Sequence, residues 1–141
     1  MKQTTFTPEI DSLLTSCDLP VKDLTNNESV LFFTERSNDQ LTGVVGIEKY
    51  STIGLLRSLA VTPTHRGKGL GRKLVRHTEK MAAEMEIHSL WLLTDTAADF
   101  FETLEYETAN RSIAPEAIWQ STQFRDLCPD SAVLMTKDIL P

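Results

Sequence analysis

The chain has 141 residues, of which 40% are hydrophobic and 24% charged. That suits one globular domain with a single core. No apolar run nears the roughly 20 residues of a membrane span, and "MKQTTFTPEI" has no signal-peptide core, so the expected location is the cytoplasm. The net charge of -6 speaks against nucleic acid as a partner, because counterion release needs a broad basic face.

The first few residues are taken as a strand. Pro8 opens a short helix with apolar residues at 10, 13 and 14 and Thr7 as its cap. A polar loop, "VKDLTNNE", follows. "SVLFFTE", "LTGVVGIEKY" and "IGLLRSLAV" are three strands joined by the turns "RSNDQ" and "ST", an antiparallel meander. Pro63 ends the third strand. From Leu70 to about Met85 apolar residues recur at helical spacing, with cations on the other face. "SLWLLT" is a strand buried on both faces. "TAADFFETL" is a helix capped by Thr96, and "EYETAN" is strand-like. Pro115 starts a helix through about Phe124, and "SAVLMTK" closes as a strand. A meander followed by a βαβ unit gives an α+β fold with a mixed central sheet and helices on both faces.

Cys17 and Cys128 are far apart and lack metal-ligand spacing. They are read as reduced thiols, with no metal.

The chemistry concentrates in "HRGKGLGRKLVRH". Gly67, Gly69 and Gly71 alternate there among Arg66, Lys68, Arg72, Lys73 and Arg76, with no acid. An acidic chain that gathers its cations this way points to a small polyanion. A phosphate loop of the GxxxxGK[ST] form is absent. A dinucleotide fingerprint needs GxGxxG and an acid about 20 residues on. The spacing here is GxGxG, and although Asp95 ends the next strand, the segment follows an antiparallel meander. The third reading is a pyrophosphate cradle. Glycines let successive N–H groups turn to one point, and a helix N-terminus adds its own free N–H groups. A bare solvated helix start is the plain alternative.

In "LAVTPTHRGKGLG", Leu59, Val61, Pro63, Arg66, Gly69 and Gly71 resemble the acetyl-CoA signature of the GNAT superfamily of N-acetyltransferases, Q/R-x-x-G-x-G/A after L-x-V-x-P. "TDTAADFFETLEYE" is similar to the family's A-x-x-F-Y-x-x-x-G-F segment. The resemblance is strongest from about Leu41 to Tyr106. "LLRSLAV" with "APEAI…LCPDSAVLM" also resembles a subgroup associated with arsenic-resistance gene clusters.

The resemblance implies acetyl transfer from acetyl-CoA to a small primary amine, such as an amino acid or an analogue. The alternative is a catalytically inactive acyl-CoA-binding module. It places the pyrophosphate on the N–H groups of Arg66, Gly67, Lys68, Gly69, Leu70 and Gly71, with Lys68, Arg72 and Lys73 in reach of the phosphates. The pantetheine arm would pair with Leu59, Ala60 and Val61, and an N–H near Leu59 would polarise the thioester carbonyl. Phe101 stands where many relatives carry a tyrosine acid; it has no proton to give and is assigned to packing on the arm or in the core. Glu48 is the candidate base, against an ordinary strand glutamate. Arg57, inside an apolar strand, is a candidate holder of a substrate carboxylate, against a structural salt bridge with Glu48. Arg111 is a second anion holder. A homodimer through the C-terminal strand is the assembly such folds often adopt.

Overall fold

The computed structural model describes residues 1–24, 29–121 and 132–139. Among the described residues seven strands form one sheet: β1 (Lys2–Thr4), β2 (Val30–Ser37), β3 (Gln40–Tyr50), β4 (Ile53–Val61), β5 (Ser89–Thr94), β6 (Glu107–Thr108) and β7 (Val133–Asp138). Their spatial order is β1-β2-β3-β4-β5-β7-β6. All neighbours are antiparallel except β4 and β5. The α-helices of the described residues are α1 (Pro8–Ser16), α2 (Leu70–Glu84), α3 (Ala98–Glu102) and α4 (Glu116–Trp119). This is the mixed α+β sheet expected from the order of elements.

Adjacent residues on a strand point to opposite faces, and that alternation builds two layers. Phe33, Val45, Ile47 and Leu56 pack with Leu74 and Val75 of α2 and Phe101 of α3. Their neighbours Phe32 and Val44 pack with Ile10, Leu13 and Leu14 of α1. Further along that second face, Leu55, Trp91 and Leu134 cover Ile118 of α4. Fully burying one such side chain is worth about 1.5–3 kcal/mol, so each helix is held mainly by its apolar stripe.

Local chemistry sets the element ends. Thr7 caps α1 by accepting the Ile10 N–H at 3.3 Å. α2 has no acid in its first turn. It closes with Ile87 N–H on the Ala82 carbonyl and Glu86 at φ 64, a left-handed stop. Three expectations shift. Helix α3 starts later than proposed, because Thr94, not Thr96, supplies the local acceptor: its Oγ1 takes the Ala97 N–H at 2.9 Å. Of "EYETAN" only Glu107 and Thr108 form a strand, and the Ala109 N–H extends the contact to the Leu134 carbonyl at 2.8 Å. Helix α4 ends at Trp119 after one turn, short of Phe124, which with Cys128 lies outside the described residues.

Candidate functional site

Strands β4 and β5 start as a parallel pair and then part. Their pairing runs from Ile53–Ser89 to Leu55–Trp91 and stops there, while β4 continues to Val61 and β5 to Thr94. The separation opens a cleft of about 1050 Å³. One wall is Leu56 to Val61 of β4; the other is Leu92, Leu93 and Thr94 of β5, with Phe100 and Phe101 behind them. The glycine segment, from Arg66 to Arg72 apart from Lys68, lines one end.

A bulge in β4 shapes that wall. The ladder to β3 runs from Arg57–Gly46 to Ala60–Val44, so Ser58 and Leu59 together oppose Val45. The extra residue resets the alternation. Leu55 faces the α4 layer and Ala60 the α1 layer, on the same side of the sheet, although they are five positions apart. Leu59 and Val61 pack against the α2 layer. Ser58 absorbs the irregularity at φ 57, in the left-handed region, where a side chain costs about 1–2 kcal/mol.

The glycine segment folds as its composition requires. Gly67 and Gly69 adopt φ 77 and 81, and a Cβ at either would meet no protein atom within 4 Å. Gly69 is the N-cap of α2 and offers no side-chain bond. The first intrahelical bond there is from Lys73 N–H to the Gly69 carbonyl, so the N–H groups of the first turn have no acceptor within the helix. Gly71 differs: its φ is not positive, and a Cβ would stand 3.4 Å from the Phe100 ring. Lys68, Arg72 and Lys73 are exposed around the loop. Arg66 turns back instead, donating Nε to the Val61 carbonyl at 3.0 Å and approaching Cys17 Sγ at 3.5 Å. Arg76 faces Glu79 at 3.5 Å. The resulting cradle of open backbone, free N–H groups and cations fits a pyrophosphate.

The remaining sequence candidates divide. Arg57 and Ser58 line the cleft, whereas Glu48 and Arg111 do not. Arg57 is 4% exposed, and Asp23 takes two of its nitrogens, one at 2.9 Å. Glu48 Oε1 lies 3.4 Å from the same guanidinium, and Nε donates to Ser58 Oγ at 3.1 Å. Glu48 is 6% exposed, and its Oε2 accepts the Tyr50 hydroxyl at 3.0 Å. Burial first, then the Glu48 charge and the hydrogen bond to it, push the Tyr50 phenol well above its ordinary range, so it stays a donor. The guanidinium of Arg57, read from sequence as a holder of substrate carboxylate, is thus already engaged by two carboxylates of the chain: the salt-bridge alternative with Glu48, enlarged by Asp23. Arg111 donates to the Ala132 carbonyl at 2.7 Å, at the cleft's edge. Phe101 is 5% exposed and lies edge-on to Phe100 and Tyr106, at 5.1 and 5.4 Å. The sequence reading did not single out Ser58, Asp23 or the β5 wall. The one available signal was a serine interrupting "LLRSLAV" beside an arginine.

Comparison with known proteins gives the class. The model of the acetyltransferase (GNAT) family matches residues 4–106. An uncharacterised N-acetyltransferase of Chlorobaculum tepidum is 29% identical over 109 residues, 74% of this chain and 70% of that protein. Among solved structures, an aminoglycoside 6'-N-acetyltransferase complexed with coenzyme A superposes with a TM-score of 0.74 at 19% identity, over 100% of this chain and 98% of that one. N-acetylglutamate synthase from Neisseria gonorrhoeae, complexed with coenzyme A and N-acetyl-glutamate, gives 0.81 at 15% identity. This chain is covered fully there but spans only 36% of the synthase. The chain belongs to the GNAT acetyltransferase family, whose acetyl donor is acetyl-CoA. Among the described residues no helix is long and apolar enough to cross a membrane.

Proposed function

We propose that the chain acetylates a small primary amine in the cleft between β4 and β5. The observation that carries this reading is the parting of the two strands with the glycine cradle at one end of the opening. The thioester of acetyl-CoA supplies an acyl carbon open to attack. The cradle from Arg66 to Gly71 would hold its pyrophosphate, with Lys68, Arg72 and Lys73 answering the phosphate charge. Leu59, Ala60 and Val61 would pair with the pantetheine arm, and the Leu59 N–H would polarise the carbonyl. Phe101 would pack on the arm. It offers no proton to the leaving sulfur, which a thiol of pKa about 8.5 tolerates at neutral pH.

The amine must reach the cleft neutral or lose its proton there. We assign that proton to Glu48, through water, because Arg57 and Ser58 stand between its carboxylate and the cleft. The resemblance of the chain's tail to the arsenic-resistance subgroup supports amino acids and arsenical amino acids as acceptors. Arg111, which donates to the Ala132 carbonyl at the rim, and Arg57, held by Asp23 and Glu48, are the two candidate carboxylate holders.

The test is thiol release from acetyl-CoA across amino acids, arsenical amino acids, polyamines, aminoglycosides and lysine peptides. Turnover with a primary amine is expected. Acetyl-CoA binding with no turnover across the panel would reduce the chain to an acyl-CoA-binding module.

A further inference from the structure

Ser58 combines four observations. It sits at φ 57, a conformation costly for any residue but glycine. It belongs to the β4 bulge, where the ladder to β3 passes over it. It is 9% exposed, yet it lines the cleft. Its Oγ accepts the Nε–H of a buried guanidinium at 3.1 Å. That guanidinium is fixed in turn by Asp23 and Glu48. Strain held at a cleft wall by a rigid ionic support is the arrangement expected where position matters more than stability.

We infer that Ser58 is a catalytic residue, its hydroxyl serving with the Leu59 N–H as a second donor to the thioester oxygen. The inference rests on the acetyl-transfer reading above. Accepting a bond from a cation commits one lone pair of Oγ and polarises its O–H, which makes the hydroxyl a better donor. The proton stays on Oγ throughout. In the step itself the amine nitrogen forms the N–C bond with its lone pair. Negative charge grows on the carbonyl oxygen and is met by the two donors. The C–S bond then breaks with its electron pair going to sulfur, and the surplus amine proton passes to the base. Donors already in place when charge develops act without reorganisation.

Ser58→Gly separates catalysis from architecture, because glycine accepts φ 57 more readily than serine does. The expected result is a thermal midpoint below wild type, because the buried Arg57 Nε–H loses its acceptor, but above that of Ser58→Ala, which keeps the backbone strain, with an acetyl-CoA KM within about twofold and a kcat lower by about 10²-fold, the effect of losing one such donor. Ser58→Ala should show the same kcat loss with a lower midpoint. Wild-type kcat in Ser58→Gly would overturn the inference. So would a parallel rise in KM without loss of kcat, since that describes a binding contact. A wild-type protein that releases no thiol with any amine would overturn the acetyl-transfer reading, and this inference with it.

Discussion

Arg57→Met is the most informative single change to the support beneath the cleft. Methionine keeps much of the side chain's volume but removes the charge shared by Asp23 and Glu48. The Arg57 side chain has no solvent exposure, and each carboxylate side chain is only 8% exposed. Glu48 of β3 and Asp23 of the loop before β2 would remain largely buried with no cation between them. Removing one partner of a buried ion pair costs about 3–5 kcal/mol. That is a large share of the total stability of about 5–15 kcal/mol typical of a domain. At about 3–4 °C per kcal/mol for a chain of this size, the midpoint should fall by roughly 10–20 °C. Urea denaturation at pH 7 measures the loss directly. Adding Glu48→Gln to Arg57→Met should recover part of it, since one uncompensated charge is then gone. A loss below about 1 kcal/mol, in the range of an exposed pair, would refute the claim that this cluster is a buried support.

Other changes probe separate parts of the account. Gly69→Ala places a Cβ at φ 81 where no protein atom stands within 4 Å. It should cost only about 1–2 kcal/mol of stability while raising the acetyl-CoA KM at least about tenfold; an unchanged KM would remove the loop from the phosphate site. Glu105 occupies φ 74, so Glu105→Gly should gain about 0.5–1 kcal/mol in urea denaturation, strain relief less glycine's entropy; a net loss would mean its side chain holds the turn. His77 lies edge-on to Phe33 at 5.0 Å. Burial, with the N-terminal ammonium and Lys80 adding to it, holds its pKa below the ordinary value. The unfolded chain therefore binds that proton more readily. Stability should fall as pH drops through about 6.5, and the loss is complete below the folded pKa. His77→Gln should flatten that slope in denaturation curves between about pH 7.5 and 5, and an unaltered slope would assign it to other groups.

What could be read in advance follows from the range of the forces involved. The meander strands are found within about two residues of their expected limits, because alternating and β-branched apolar residues and the turns between them are local signals. Gly67 and Gly69 announce their positive φ by being glycine. Ser58, Glu105 and Glu86 do not, since each is held in the left-handed region by surrounding structure that no neighbouring residue encodes. Glu48 could be named as a partner for Arg57 from the strand pairing alone. Asp23 could not, because it reaches Arg57 across 34 positions from a loop. The bulge was equally hidden: "LLRSLAV" reads as an unbroken strand, and only the ladder to β3 shows that Ser58 and Leu59 share one opposing residue. The cap of α3 was misplaced because Thr94 and Thr96 are both chemically competent, and the path of the chain after β5 decides between them.

Acetyl-CoA is expected to lie in the cleft where β4 leaves β5, with its pyrophosphate on the glycine cradle. The most direct measurement is an amide chemical-shift titration of the ¹⁵N-labelled protein with acetyl-CoA, with NAD in parallel. Acetyl-CoA should shift the amides of Leu59, Ala60 and Val61 together with those from Arg66 to Arg72, and NAD should leave them in place. Shifts confined to other surfaces, or a response to NAD and none to acetyl-CoA, would contradict the account.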